Sequence, residues 1–303
     1  MTGNWQLAQR RPALEARARI VQTIRAFFIA EGFLEVETPQ RIPVNAPELH
    51  IDAVRSGAWS LHTSPELCMK RLLAAGYPRI FQICRVWREA ERGSRHLPEF
   101  TLLEWYRSDA DYLNLMDDCE ALLRVLVPAG SLPVRGTEID LASPWERITV
   151  AEAFAAYASL SLAQALAADR FDELLSSEVE PRLGQLRPTF LYDYPAQLAA
   201  LARHKTLHPE LAERFELYVA GIEVANAFSE LTDPAEQRQR FTADEAARRA
   251  QGKEPLLLPE KFLAELVNLP LAAGIALGVD RLVMLLIGAA TIDAVVSFPP
   301  EEL

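Results

Sequence analysis

One pair of adjacent charges, Asp280 and Arg281, sits inside the otherwise apolar run from Leu271 to Gly288. That run constrains the chain more than any other. Neither charge can be buried without a partner, because an unpaired ion in a low-dielectric interior is expensive. An apolar strand ending at Gly278 and an apolar helix starting near Val279 would place Arg281 at a strand-to-helix junction. Gly278 keeps that junction free of side-chain bulk, and a helix N-terminus favours an anion. A structural ion pair inside a core hairpin would account for the same residues.

Half of the 303 residues are apolar, enough for one large domain or two closely packed ones. The formal net charge of -11 argues against a broad basic surface for nucleic acid, whose binding rests on phosphate neutralisation. Cys68, Cys84 and Cys119 show neither a C-x-x-C pair nor zinc spacing, which fits a reducing compartment and a cytoplasmic location. Met1 to Pro12 has Arg10 and Arg11 but no apolar stretch behind them, so it reads as an N-terminal extension and not a signal peptide. No apolar run reaches the roughly 18 residues of a membrane span.

Ala13 to Ala30 carries Leu14, Ala18, Val21, Ile24 and Phe28 on one stripe, an amphipathic helix closed by Gly32. Phe33 to Glu37 then reads as a short strand, at a sheet edge or a dimer seam, before Pro39. Ser64-Pro-Glu66 reads as a helix start, with Ser64 as N-cap and Pro65 in the first helical position. Arg79 to Arg88 and Pro98 to Arg107 form an antiparallel pair across a charged loop. On the returning strand Phe100, Leu102, Glu104 and Tyr106 share a face by the period of two. A carboxylate beside a phenol there is either an ammonium site or a hydrogen-bonded pair satisfied by itself.

Helices are expected over Asp109 to Leu126, over Ala151 to Leu175 as one or two segments, and from Pro234 to Arg249. Pro128 to Pro144 reads as an irregular surface connection, and Pro188 to Pro195 as a strand. A hairpin turning at Ala220-Gly221 would set Tyr218 opposite Glu223 and Glu216 opposite Ala225. Glu216 and Glu223 would then be diagonal neighbours, and two carboxylates so close invite a cation, Mg2+ if phosphate is near. A turn shifted by one residue would separate them. Asn226 and Glu230 share a face if the strand runs that far.

Three signatures stand in one order: a helix with Gly32 and Pro39; Arg88, a long loop, and Pro98-Glu-Phe-Thr-Leu-Leu-Glu-Trp-Tyr106; and Gly278-Val-Asp-Arg281. This order resembles motifs 1, 2 and 3 of the class II aminoacyl-tRNA synthetases. Ser-Pro-Glu-Leu-Cys-Met-Lys-Arg-Leu at 64 to 72 and Gly221-Ile-Glu-Val-Ala-Asn-Ala-Phe-Ser-Glu-Leu-Thr-Asp233 look like the lysyl branch. On this resemblance the sequence is expected to start at the catalytic core, with no anticodon-binding barrel before it. It is therefore more similar to the free-standing paralogues that activate (R)-β-lysine with ATP and ligate it to a lysine of elongation factor P. Ala276, where the synthetases have glycine, is a further likeness, and its methyl group bears on which lysine isomer fits.

The resemblance implies an α+β fold, an antiparallel β-sheet flanked by helices, as one catalytic domain from 13 to 303 and a homodimer through motif 1. It implies ATP contacts at Arg88, Glu89, Ala90, Glu91, His96, Phe100, Glu223, Val224, Gly278 and Arg281. Arg88 would grip the α-phosphate, Arg281 the terminal phosphates, and Phe100 the adenine ring. Mg2+ would lie on Glu216 and Glu223, and the lysine pocket on Ser64, Pro65, Glu66, Glu104, Tyr106, Asn226, Glu230 and Ala276. One departure stands in motif 2, where Ala90 replaces the family's glutamate; Glu91 or Glu89 would then reach the adenine amino group. A lysyl-tRNA synthetase charging tRNA, or a lysine- or nucleotide-sensing paralogue without turnover, are the alternatives; the acidic balance makes tRNA the less fitting partner.

Overall fold

The computed structural model describes residues 5–303, so Met1 to Asn4 of the expected extension lie outside the described residues. The helices are α1 (Trp5–Ala30), α2 (Glu66–Ala74), α3 (Tyr112–Leu126), α4 (Val150–Tyr157), α5 (Leu162–Ala167), α6 (Phe171–Leu174), α7 (Pro234–Ala250), α8 (Glu260–Glu265) and α9 (Val279–Leu286). The strands are β1 (Leu34–Glu35), β2 (Arg41–Ile42), β3 (Arg55–Ser56), β4 (Trp59–Leu61), β5 (Arg79–Trp87), β6 (Glu99–Ser108), β7 (Ser131–Val134) and β8 (Thr137–Asp140). After them come β9 (Glu146–Thr149), β10 (Thr189–Pro195), β11 (Leu211–Val219), β12 (Ile222–Ser229) and β13 (Ala272–Gly278).

Eight strands form one sheet in the order β1-β5-β6-β13-β12-β11-β10-β9. Its six central strands pair antiparallel, while β1 on β5 and β9 on β10 pair parallel. The α+β expectation holds, with a sheet mixed at both edges. β1 is an edge strand, and its Leu34 is exposed.

Leu103 and Trp105 of β6 point into a core shared with Ile24 and Phe28 of α1, Leu115, Met116 and Leu122 of α3, and Leu282 and Val283 of α9. The alternate residues of β6 face the other way, as the period of two requires. On that side Leu67 and Leu73 of α2, Phe241 of α7 and Phe262 of α8 gather around Tyr106. The sheet is therefore covered on both faces but left open along part of the second one. That opening holds the candidate site.

Several boundaries differ from the sequence reading. α1 begins at Trp5 and runs through Pro12, so the helix crosses the position where the extension was set apart. Pro12 is the eighth residue of this helix, past the first turn, so it forgoes the bond an N–H there would make to the carbonyl four residues before it. The stretch from Pro128 to Pro144 holds the hairpin β7–β8, with Arg135 and Gly136 at positive φ in its turn. Three helices, not one or two, fill Ala151 to Leu175. α2 starts at Glu66, one residue later than expected, yet Ser64 Oγ still accepts the Glu66 N–H at 3.0 Å.

Candidate active site

β13 ends at Gly278 and α9 begins at Val279, so the two adjacent charges leave the helix start in different directions. Asp280 is buried in the first core, bound by Arg17 Nη1 at 2.5 Å and the Thr101 N–H at 2.6 Å. Arg281 instead points across the open face of the sheet. It donates to the Glu223 backbone carbonyl at 2.9 Å, Glu223 Oε2 at 3.1 Å, the Arg95 carbonyl at 3.3 Å and His96 Nε2 at 2.6 Å. Burial, and then the guanidinium of Arg281, hold the His96 imidazole below its ordinary value, consistent with Nε2 acting as acceptor. A Cβ built on Gly278 would lie 3.8 Å from the Arg281 side chain. The glycine is thus not demanded by crowding within the chain.

Arg88, just past β5, faces the same cavity as Arg281. Its Cζ lies 5.2 Å from the Phe100 ring centroid, and Glu91 is 3.8 Å away. Its buried Nε has no hydrogen-bond partner, so this guanidinium is largely uncommitted. Of the two acids that could stand in for the motif 2 glutamate, Glu91 lines the cavity; Glu89 is exposed and lines a separate groove with Arg55 and Pro255. Ala90 takes a positive φ and is exposed, which turns the chain so that these two acids diverge.

At the cavity's other end Glu104 accepts from Ser64 Oγ at 2.6 Å and from the Tyr106 hydroxyl at 2.8 Å. Burial pushes this carboxyl up to about 8, with the charge of Glu66 adding to the effect. Glu66, Asn226, Gly274 and Ala276 line the same end. Pro65 is buried beside it, shaping the entry to α2 without lining the cavity. Glu230 is one layer deeper than expected, behind Gly274, where any side chain would collide with the Tyr106 ring and the Glu230 carboxylate.

The β11–β12 hairpin turns at Ala220 and Gly221, both at positive φ, and sets Tyr218 opposite Glu223 as expected. A bulge next to Tyr218 then changes the register, so Glu216 pairs with Asn226 and not with Ala225. Alternation alone does not encode a bulge. The two carboxylates nevertheless sense each other: burial, then the charge of Glu216, raises Glu223. Glu216 is held by Arg214 Nη2 and by the Tyr218 hydroxyl, each at 2.6 Å. Val224, at the bulge, lines the cavity too.

Two cavity acids or their partners escaped the sequence reading. Glu48, in the loop before β3, lines the cavity, and burial pushes it up to about 7. Lys70 of α2 is fully buried between Glu66 and Glu230. The signal for Lys70 was present: it falls on the α2 stripe of Leu67, Leu73 and Ala74, four residues after Glu66.

A cavity lined by three arginines, Arg88, Arg95 and Arg281, and by clustered acids, built across an antiparallel sheet, is what a class II adenylating site requires. The family model for class II tRNA synthetases (D, K and N) matches residues 5–302, and the chain belongs to that family. Within it, the chain is 39% identical to the elongation factor P (R)-β-lysine ligase of Vibrio cholerae serotype O1, over 94% of each chain. It is 41% identical to the ligases of the same name from Salmonella paratyphi B and Salmonella typhi, over 99% of each.

Proposed function

We propose that this chain is an ATP-dependent ligase that activates (R)-β-lysine as an aminoacyl adenylate and transfers it to a lysine side chain of elongation factor P. The observation that carries this reading is one cavity holding Arg88 and Arg281 at one end and Glu66 and Glu104 at the other. Anionic phosphates and a diammonium amino acid would meet there with their reacting ends together. The names and full-length similarity of the relatives supply the acceptor.

ATP fits these residues. The unpartnered Nε of Arg88 suits an α-phosphate oxygen, because arginine stays charged and presents a planar fork. Arg281 would exchange its bonds to Glu223 and His96 for the terminal phosphates. Phe100 would stack on adenine once Arg88 moves off its face, with Glu91 near the exocyclic amine and Gly278 leaving room. Among the described residues no group of three or more His, Cys, Asp or Glu could hold a metal. Glu216 and Glu223 would hold Mg2+ with phosphate oxygens completing its shell, as that ion commonly requires. Bound there, it would neutralise phosphate charge.

In the first step a substrate carboxylate oxygen attacks the α-phosphorus and pyrophosphate leaves. No protein nucleophile is involved; Arg88 and Arg281 position the phosphates and stabilise developing charge. Ser64, Glu66, Glu104, Tyr106 and Asn226 would fix the amino acid, with Glu230 behind them and Ala276 setting the wall against which isomers are sorted. In the second step the deprotonated acceptor amine attacks the acyl carbon, and AMP departs. Among the described residues no helix is long and apolar enough to cross a membrane, and we place the reaction in the cytoplasm, with the catalytic domain acting as a homodimer.

The test is pyrophosphate exchange with (R)-β-lysine beside L-lysine, followed by intact-mass measurement of elongation factor P. A mass gain matching the amino acid on the factor is the expected result. Exchange with aminoacylated tRNA and an unmodified factor would establish a tRNA synthetase instead, and no exchange with any lysine would leave a sensor.

A further inference from the structure

The amino-acid end of the cavity is backed by a buried cation. Lys70 Nζ donates to Glu66 Oε1 at 2.5 Å and lies 2.5 Å from Glu230 Oε2, with Lys70 and Glu230 each 1% exposed. Glu230 Oε1 has no hydrogen-bond partner, so the Lys70 ion pair is what compensates this buried carboxylate. Among the described residues no other basic side chain lies within ion-pair distance of Glu66 or Glu230.

Two buried carboxylates without a counter-cation tend to share a proton, and a protonated acid holds an ammonium poorly. Burial works against the charge on Lys70, but the ion pairs to Glu230 and Glu66 outweigh it and raise its value. Burial lifts Glu230 to about 7 even with Lys70 pulling it down; without the lysine it would rise further. The other ionisable groups facing this cluster are Glu104 and Tyr106 from β6, with Glu48 beyond Glu66. Once Glu104, held near 8, and Glu230, near 7, have lost their protons, three carboxylates set against the one ammonium of Lys70 leave two uncompensated negative charges, opposite in sign and equal in number to a diammonium ligand.

We propose that Lys70 is a positioning residue for amino-acid binding: bridging Glu66 and Glu230, it fixes the Glu66 carboxylate at the cavity wall against a compensated Glu230 behind it, so an arriving diammonium group meets an oriented acceptor. This rests on the reading of the cavity as a diammonium site, and it adds a residue that never needs to touch the substrate. Its consequence is a separation of effects. Loss of Lys70 weakens amino-acid binding in a pH-dependent way and leaves the nucleotide end alone.

The experiment is calorimetric titration of (R)-β-lysine and, separately, ATP into wild-type protein and Lys70→Met, from pH 6.5 to 8.5. The variant is expected to bind the amino acid about 10- to 100-fold more weakly at pH 6.5, the scale of a lost charge-assisted contact, with ATP affinity within about twofold. Raising the pH ionises Glu230, which Lys70 no longer holds down in the variant, so the ratio of variant to wild-type dissociation constants should shrink. A ratio that stays constant with pH, amino-acid affinity equal to wild type, or an equal loss for ATP would each overturn the proposal. A second measurement needs no variant: wild-type titrations at pH 8 in buffers of different ionisation enthalpy count the protons released. At most one, from Glu104, is expected; close to two would show that Glu230 also keeps its proton despite Lys70. Protein that binds the diammonium ligand but leaves elongation factor P unmodified refutes the acceptor reading alone, whereas protein that binds no diammonium ligand removes both.

Discussion

Asp280 Oδ1 accepts a hydrogen bond from Arg17 Nη1 at 2.5 Å across 263 positions of sequence. The same carboxylate takes the Thr101 N–H, and Arg17 Nη2 also donates to Thr101 Oγ1 at 2.7 Å. Three elements meet on this node: α1, β6 and α9. Arg281 follows Asp280 directly, so whatever fixes the aspartate sets where the arginine leaves the helix. Arg17→Met removes one partner and leaves a buried carboxylate with backbone and hydroxyl contacts alone. It should destabilise the protein by about 3 kcal/mol, read from urea unfolding. Arg17→Met with Asp280→Asn should recover part of that loss; a double variant no better than the single one would show that the carboxylate charge is not the source of the cost.

Arg281 tests the chemistry in place of the scaffold. Its guanidinium reaches the cavity from the helix start, and its bonds go to groups at the cavity wall. Arg281→Ala should lower kcat/KM for pyrophosphate exchange by about 10²- to 10³-fold, the range for losing a preorganised charge stabiliser. Arg281→Lys should recover little, since a point charge does not replace a planar fork. Full exchange by Arg281→Ala would contradict its assignment to the phosphates.

The parts of this site legible in the sequence are those where local pattern and chemistry coincide. Alternation on β6 placed Phe100, Glu104 and Tyr106 on one face, and the apolar run broken at Gly278 placed Arg281 at a junction. The pairing of Tyr218 with Glu223 followed from the turn residues, but the bulge beyond it moved Glu216 onto Asn226, and its only mark in the sequence is the doubled apolar pair Val224-Ala225 in an otherwise alternating strand. Glu230 looked like a cavity residue because it shares a face with Asn226; its depth depends on Gly274 and Tyr106 from other strands. Lys70 was passed over because lysine on a helix ordinarily faces water. Its burial is a tertiary fact, decided by Glu230 some 160 residues away.

Glu104 links stability to pH. Its folded value of about 8 lies above that of an unfolded glutamate near 4.3. Between those values the folded chain binds more protons than the unfolded one, so this residue's contribution favours folding at acid pH and is lost as pH rises toward 8. Glu104→Gln keeps a group that can hydrogen-bond Ser64 and Tyr106 but removes the titration. Measured without added amino acid, its stability gain should be small at pH 5 and reach a few kcal/mol at pH 8, at roughly 1.4 kcal/mol for each tenfold difference in proton affinity between folded and unfolded chains. The same variant should bind (R)-β-lysine at least about tenfold more weakly. A variant with the wild-type pH slope would place the raised acid elsewhere.

Two small residues on β13 should respond in opposite ways to a single methyl group. Gly274 lies against the Tyr106 ring and the Glu230 carboxylate with no space for a Cβ, and its neighbours are a strand residue and a buried ion pair that cannot easily give way. Gly274→Ala should therefore displace Tyr106, disrupt the amino-acid end, and lower both stability and amino-acid affinity, by about 1–3 kcal/mol for an overpacked core. Ala276, two residues on, pairs with Glu104 on one side and Asn226 on the other and lines the cavity. Ala276→Gly removes bulk from the wall and should leave the fold nearly intact while relaxing selection among lysine isomers. The preference between (R)-β-lysine and L-lysine in kcat/KM should change by about 10- to 200-fold, the worth of one methyl group in a shaped pocket. If Ala276→Gly keeps the wild-type preference while Gly274→Ala alters it, the wall that sorts isomers is formed by Tyr106 and not by the alanine methyl.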